Sequence, residues 1–235
     1  MPIRSEKPEV MCDEFQAQLN ALREFYNNGL HAFSGTAHEE RDVSALSEAV
    51  FFQSLVALEE FISFYFVGSV THEPTQFLAS RERLIRQYLE KRYVRDSPHV
   101  TYTPPSSLSF EDARMLLDSD GKNLTFRDCE QMLQRAKEYL SPEHSVRFKR
   151  IPSDRLAVID VARSIRNCIA HKSRRSLHEM QVRLGSLPED GVIAVFGAGV
   201  SSVEHVGAYL KAAPLGRSRV DLFFDEFQAL VRALA

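Results

Sequence analysis

Apolar residues recur along this chain at spacings of three and four, the period of an amphipathic helix. Phe15, Leu19, Leu22 and Tyr26 predict a first helix, with Asn27-Asn28-Gly29 as its stop signal. Asp42 is placed to cap a second, whose stripe runs Leu46, Val50, Leu55, Leu58, Ile62, Phe66. A third is predicted from Gln76 to Tyr93, with Leu78, Ile85 and Leu89 inward and basic residues interspersed. Prolines, serines and isolated aromatics from Ser97 to Ser109 break the pattern and read as a loop. Shorter helices are expected at Phe110–Leu117 and Phe126–Leu140, the second capped by Thr125, with a turn at Asp118-Ser119-Asp120-Gly121 between them. A long helix then starts at Ser153 or Asp154 and runs to about Arg174. The glycine-bounded run Gly191-Val192-Ile193-Ala194-Val195-Phe196-Gly197 predicts strand. Val220, Phe223, Phe224, Phe227, Leu230, Val231 and Leu234 close the chain as a strongly amphipathic helix.

The expected fold class is therefore all-α: a helical bundle occupying residues 1–235 as one domain. Its expected embellishments are a flexible tail over residues 1–10, an insertion over 97–150 and a small β-hairpin over 191–203. Phe51 to Val70 is the stretch nearest to a bilayer span, but Glu59 and Glu60 in its middle suit a buried helix better. With no hydrophobic signal region at Met1-Pro2-Ile3-Arg4, the expectation is a cytoplasmic protein without membrane association. Cys12, Cys129 and Cys168 are few and far apart, which suggests neither a disulfide framework nor a zinc site. No cofactor is expected.

Charge narrows the chemistry. Lysines and arginines number 29 against 32 acids, a formal net charge of -3, so any nucleic-acid binding must be local. One local concentration stands out: Arg166-Asn167-Cys168-Ile169-Ala170-His171, followed by Lys172, Arg174 and Arg175. On the helix expected there, Val158, Val161, Ala162, Ile165, Cys168 and Ile169 gather on one face. Arg163, Arg166, Asn167, Ala170, His171 and Arg174 gather on the other. Asn167 and His171 stack on neighbouring turns, whereas Arg166 and His171 lie roughly 140° apart. A single straight helix does not close those two around a small ligand. Either the histidine end bends, or two copies of the helix face each other in a symmetric dimer.

Arginine, a polar residue directly after it, and histidine five positions on near the end of a bundle helix resemble the signature of HEPN domains. The stretch Ser54-Leu55-Val56-Ala57-Leu58-Glu59-Glu60-Phe61-Ile62 is similar, more weakly, to an early bundle helix of that family. The resemblance implies a metal-independent endoribonuclease, homodimeric, of toxin–antitoxin or anti-phage defence systems. The RNA 2′-hydroxyl attacks its own adjacent phosphate, leaving a cyclic phosphate and a 5′-hydroxyl. In that reading Arg166, Asn167 and His171 are catalytic. An imidazole, with an unperturbed pKa of ~6.5, shuttles the proton; a guanidinium stabilises the transition-state charge. Arg163, Lys172, Arg174 and Arg175 contact RNA, and Glu59 is a supporting acid. An antitoxin or sensor partner is implied as well. Family toxins that carry a modifiable tyrosine two residues after the histidine differ from this chain, which has Ser173 there.

Other readings stand beside these. His171 at a helix end also serves as a cap for terminal carbonyls, and Lys172, Arg174 and Arg175 are ordinary last-turn residues. Arg163 also reads as a solvated face residue, and Glu59 or Glu60 as an exposed helix face. Gly197-Ala198-Gly199 lacks the third glycine and crossover of a nucleotide loop and reads as a hairpin turn. His31, His38, His72, His99, His144, His178 and His205 show no metal spacing and are expected at the surface. The alternative function is a non-catalytic HEPN-like module binding RNA, a nucleotide or a protein.

Overall fold

Every regular element among the described residues is helical. The computed structural model describes residues 7–118, 124–191, 193–197, 199 and 203–235. In order the helices are α1 (Pro8–Phe33), α2 (Glu39–His72), α3 (Thr75–Arg92), α4 (Phe110–Leu117), α5 (Cys129–Tyr139) and α6 (Pro142–Lys149). They continue as α7 (Ser153–His171), α8 (Arg174–Gly185), α9 (Ala194–Gly197), α10 (Val206–Lys211) and α11 (Arg219–Leu234). The chain divides into two compact units, one of residues 1–11 with 62–150 and one of 12–61 with 151–235.

The unit of residues 1–11 and 62–150 is built on aromatic packing. Phe66 meets Phe126 and Phe148 at 4.9 Å each, and Tyr65 meets Phe148 edge-on at 5.7 Å. Helix α3 docks on α5 through its first turns: Phe77 lies edge-on to Tyr139, and Ser80 donates to the Glu138 carboxylate. Arg147 of α6 donates to the Tyr65 hydroxyl and to Glu9. Thr125 is not the cap of α5. That helix starts at Cys129, and Asp128 accepts from the Gln131 amide. Of the turn expected at 118–121, residues 119–121 lie outside the described residues.

His144, expected at the surface, is buried in this unit, its ring edge-on to Tyr65 and His72. Burial holds its pKa below the ordinary histidine value of 6.5; the Arg147 cation adds to this, and Glu143, Glu9 and Glu73 oppose it. The folded protein thus binds that proton less readily than the unfolded chain does. Stability contributed by the neutral ring is present above about pH 6.5 and is lost as the pH falls through the lower folded value. Denaturant midpoints should therefore decline from pH 7.5 to pH 5, and the decline should be shallower in His144→Gln. Identical pH profiles in the two proteins would contradict this.

In the unit of residues 12–61 and 151–235, α11 supplies the centre of the core. All seven of its predicted apolar residues are buried. Phe223 packs on Phe51 at 4.9 Å and on Phe196 at 4.5 Å. Arg23 of α1 donates to Asp225 at 2.6 Å, and its guanidinium lies over the Phe224 ring. Burial pushes the Asp225 carboxyl up, but hydrogen bonds from Arg217 and Arg23 outweigh it and hold the pKa low.

Asn27-Asn28-Gly29 does not stop α1, which runs on to Phe33. Gly29 serves a close approach instead: a Cβ there would sit 2.5 Å from Cδ2 of Leu46. Asp42 falls inside the first turn of α2, which already begins at Glu39. By length and composition α2 is long and apolar enough to cross a bilayer, and 67% of that apolar window is buried within the protein, as in a core helix.

The hairpin expected over 191–203 is not formed by its described residues. Ala194–Gly197 makes a single helical turn, α9; residues 192, 198 and 200–202 lie outside the description. Local β-preference is overridden there by capture of two carbonyls. The Tyr209 hydroxyl donates to the Phe196 carbonyl at 2.7 Å, and Arg219 Nε donates to that of Val195 at 3.2 Å.

Candidate functional site

Helix α7 carries the Arg166–His171 segment, and its neighbours explain why it stands firm. Arg155 in its first turns donates to Glu226 of α11 at 2.8 Å, while Val158, Val161, Ala162 and Ile165 are buried. Helices α8, α10 and α11 all pack against it.

The helix ends at His171 because Lys172 adopts a left-handed backbone, φ 47° and ψ 37°. That conformation costs a non-glycine residue roughly 1 kcal/mol. It turns the chain within two residues into α8. There the Ser173 hydroxyl accepts from the Ser176 amide at 3.1 Å, and the Ser176 hydroxyl accepts from the Ser173 amide at 3.2 Å. Ser173 is thus a helix cap. Arg174, expected on the same helix as His171, is instead the first residue of α8.

Arg166 is half-buried and points to α2. Its Nη2 donates to both carboxylate oxygens of Glu59, at 2.7 and 2.9 Å. Glu60, next to it in sequence, is exposed. Arg163 was placed on the polar face by helical spacing, yet its side chain is only 8% exposed. Its Nη1 donates to Asp160 at 3.1 Å, and its Nε lies 3.7 Å from the nearer Glu59 oxygen. Packing around α7 covers more of its circumference than one apolar stripe indicates, and Arg163 falls under that cover. Two guanidinium groups and two carboxylates therefore form one neutral cluster. Asp160 was missed in the sequence, although its position three residues before Arg163 is the signal of a helical ion pair.

Beyond the cluster the surface opens. Asn167 is half-buried, Ala170 and His171 are exposed, and so are Lys172, Arg174 and Arg175. Among the described residues none of these three cations forms an ion pair. Helix α8 has no acid in its first turn. Two arginines thus begin a helix at its positive end, a placement that costs roughly 0.3–1 kcal/mol per cation and that an anion would relieve.

The structure therefore brings Glu59, Arg163 and Arg166 together, sets Asn167 and His171 one turn apart on the open side, and moves Arg174 and Arg175 to the next helix. Cys168, between Asn167 and His171 in sequence, is buried. Burial pushes its thiol pKa up against a hydrogen bond with Ser176, which leaves it a poor nucleophile. Among the described residues no three His, Cys, Asp or Glu side chains converge as for a metal ion. No protein-family model matches the chain, and no curated protein or solved structure matches it.

Proposed function

We propose that this chain is a metal-independent endoribonuclease of HEPN type, active as a homodimer and serving in a toxin–antitoxin or anti-phage system. The observation that carries the reading is the fixed Arg166: both oxygens of Glu59 hold one of its nitrogens, and five residues further along α7 His171 is exposed. A preset guanidinium suits a phosphate in flight between two geometries, since it need not reorganise during the reaction. An imidazole open to solvent at the end of α7 is able to exchange its proton.

In the reaction the 2′-oxygen attacks the adjacent phosphorus as its proton passes to a base. The bond from phosphorus to the 5′-oxygen breaks, and that oxygen takes a proton. Products are a 2′,3′-cyclic phosphate and a 5′-hydroxyl. Arg166 and His171 are offset by roughly 140° on an ideal helix, so a second α7 from a partner copy completes the cleft. One histidine then serves as base and the other as acid. Lys172, Arg174 and Arg175 hold flanking phosphates.

Incubating the purified chain with RNA in excess chelator tests this. Cleavage leaving cyclic-phosphate ends is the expected result, and growth arrest on expression, relieved by Arg166→Ala, accompanies it. Cleavage that stops with chelator, or none at all, overturns the reading. The engagement of Arg166 Nη2 by Glu59 also favours a second reading, in which the pair is structural and the module binds RNA or protein without catalysis. RNA retention without cleavage in the same experiment selects it.

A further inference from the structure

Helix α3 begins as a core helix and ends as something else. Phe77 and Leu78 are buried, but every residue from Arg83 to Tyr88 is exposed. Ile85 and Leu89, expected inward, line a cleft with Ser97, Val100 and Tyr102 that holds only about 10 Å³. That cleft is too small for a ligand. The open apolar area is carried instead by Tyr88, 60% exposed, and by Tyr93 just beyond the helix end, with Leu84 and Val94 beside them. The two tyrosine rings lie 6.5 Å apart with planes at 60°.

Cations interleave with these rings. Helix α3 holds Arg81, Arg83, Arg86, Lys91 and Arg92 against Glu82 and Glu90, and the turn after it adds Arg95 and one acid, Asp96. Glu82 is taken by Arg86 at 2.9 Å. Among the described residues Lys91, Arg92 and Arg95, all exposed, form no ion pair. Arg92 stands one helical turn after Tyr88, on the same face. In a protein with a net charge of -3 this is a local positive strip around two solvent-facing aromatic rings.

We propose that the C-terminal half of α3 and the turn after it bind single-stranded RNA, with bases stacked on Tyr88 and Tyr93 and phosphates held by Lys91, Arg92 and Arg95. The choice of RNA rests on the function proposed above; the rest is carried by this one surface. Aromatic faces beside unpaired cations match the alternation of base and phosphate in a single strand. A duplex hides its base faces and offers the rings nothing to stack on. An anionic membrane is disfavoured because the exposed area is mostly tyrosine, with two of the aliphatic side chains, Ile85 and Leu89, already lining the cleft with Val100 and Tyr102. Cations in a last helical turn also complement the helix dipole, so the tyrosines carry the test.

The experiment measures fluorescence anisotropy of a labelled single-stranded oligouridylate on the full chain in the His171→Ala background, which removes cleavage from the readout. Tyr88→Ala and Tyr93→Ala should each weaken binding about tenfold, the range of one lost base stack, while Tyr88→Phe binds as the parent does. Arg92→Gln should lower the slope of log affinity against log salt by about 0.7. Unchanged affinity in both alanine variants overturns the proposal. So does duplex RNA of equal length binding as tightly, or phosphatidylserine vesicles being the ligand that the alanine variants lose. Chelator-resistant cleavage by the natural chain together with unchanged binding in the tyrosine variants rejects this surface and leaves the α7 reading intact. Lost binding in those variants, with no cleavage by the natural chain, rejects the α7 chemistry and keeps the surface.

Discussion

Replacing His171 by alanine should lower chelator-resistant RNA cleavage by about 10²–10⁴-fold, the usual worth of a positioned proton-transfer group. The melting temperature should stay where it is. His171 is exposed at the last position of α7, and the turn after it is set by Lys172 and by the Ser173–Ser176 capping box. Removing the ring therefore takes away chemistry without taking away packing. A comparable loss in Arg166→Ala would come with destabilisation, because that change leaves the half-buried Glu59 carboxylate without the nitrogen that holds it. The contrast between the two variants separates a catalytic group from one that also braces the helix. Full activity in His171→Ala removes the histidine from the mechanism and the HEPN-type reading of the α7 site with it.

Phe223→Ala should destabilise the protein by about 3–5 kcal/mol, the range for emptying a buried aromatic site. Its ring is fully buried and touches Phe51 of α2 and Phe196 of α9, with Phe227 one turn along α11 at 6.1 Å. Thermal denaturation should show a drop of about 10 °C. Activity should fall before the protein melts, since α11 packs against α7 and anchors its start through Glu226 and Arg155. A loss under 1 kcal/mol would mean that α11 is not the centre of this core.

The helices with strong spacing were legible because one buried stripe suffices to reveal them. In α11 the seven apolar residues named from the sequence are the seven that the fold buries around Phe223. Weak patterns hid α6, α8 and α10. Those helices are six to twelve residues long, too short to persist without tertiary support. The hairpin expectation failed for the same reason in reverse. Val192, Ile193 and Val195 favour strand locally, but Phe196 finds its place against Phe223, and Tyr209 and Arg219 take the carbonyls of that turn. Gly29 looked like a stop because glycine ends many helices; here the absent side chain makes room for Leu46 of α2.

At the candidate site the division is equally physical. Sequence alone determined that Arg166, Asn167 and His171 share one helix and stand at fixed angles on it, because helical rotation per residue is set by the backbone. It also offered Glu59 as a supporting acid, or as an exposed helix face, without fixing what that carboxylate meets. Only the tertiary structure set Glu59 against Arg166, 107 residues away in sequence. The same packing turned Arg163 inward to Asp160 and Glu59, and a left-handed Lys172 assigned Arg174 and Arg175 to a separate helix. Those outcomes depend on which surfaces meet across the fold, and a pattern confined to one helix holds no record of the face its neighbours cover.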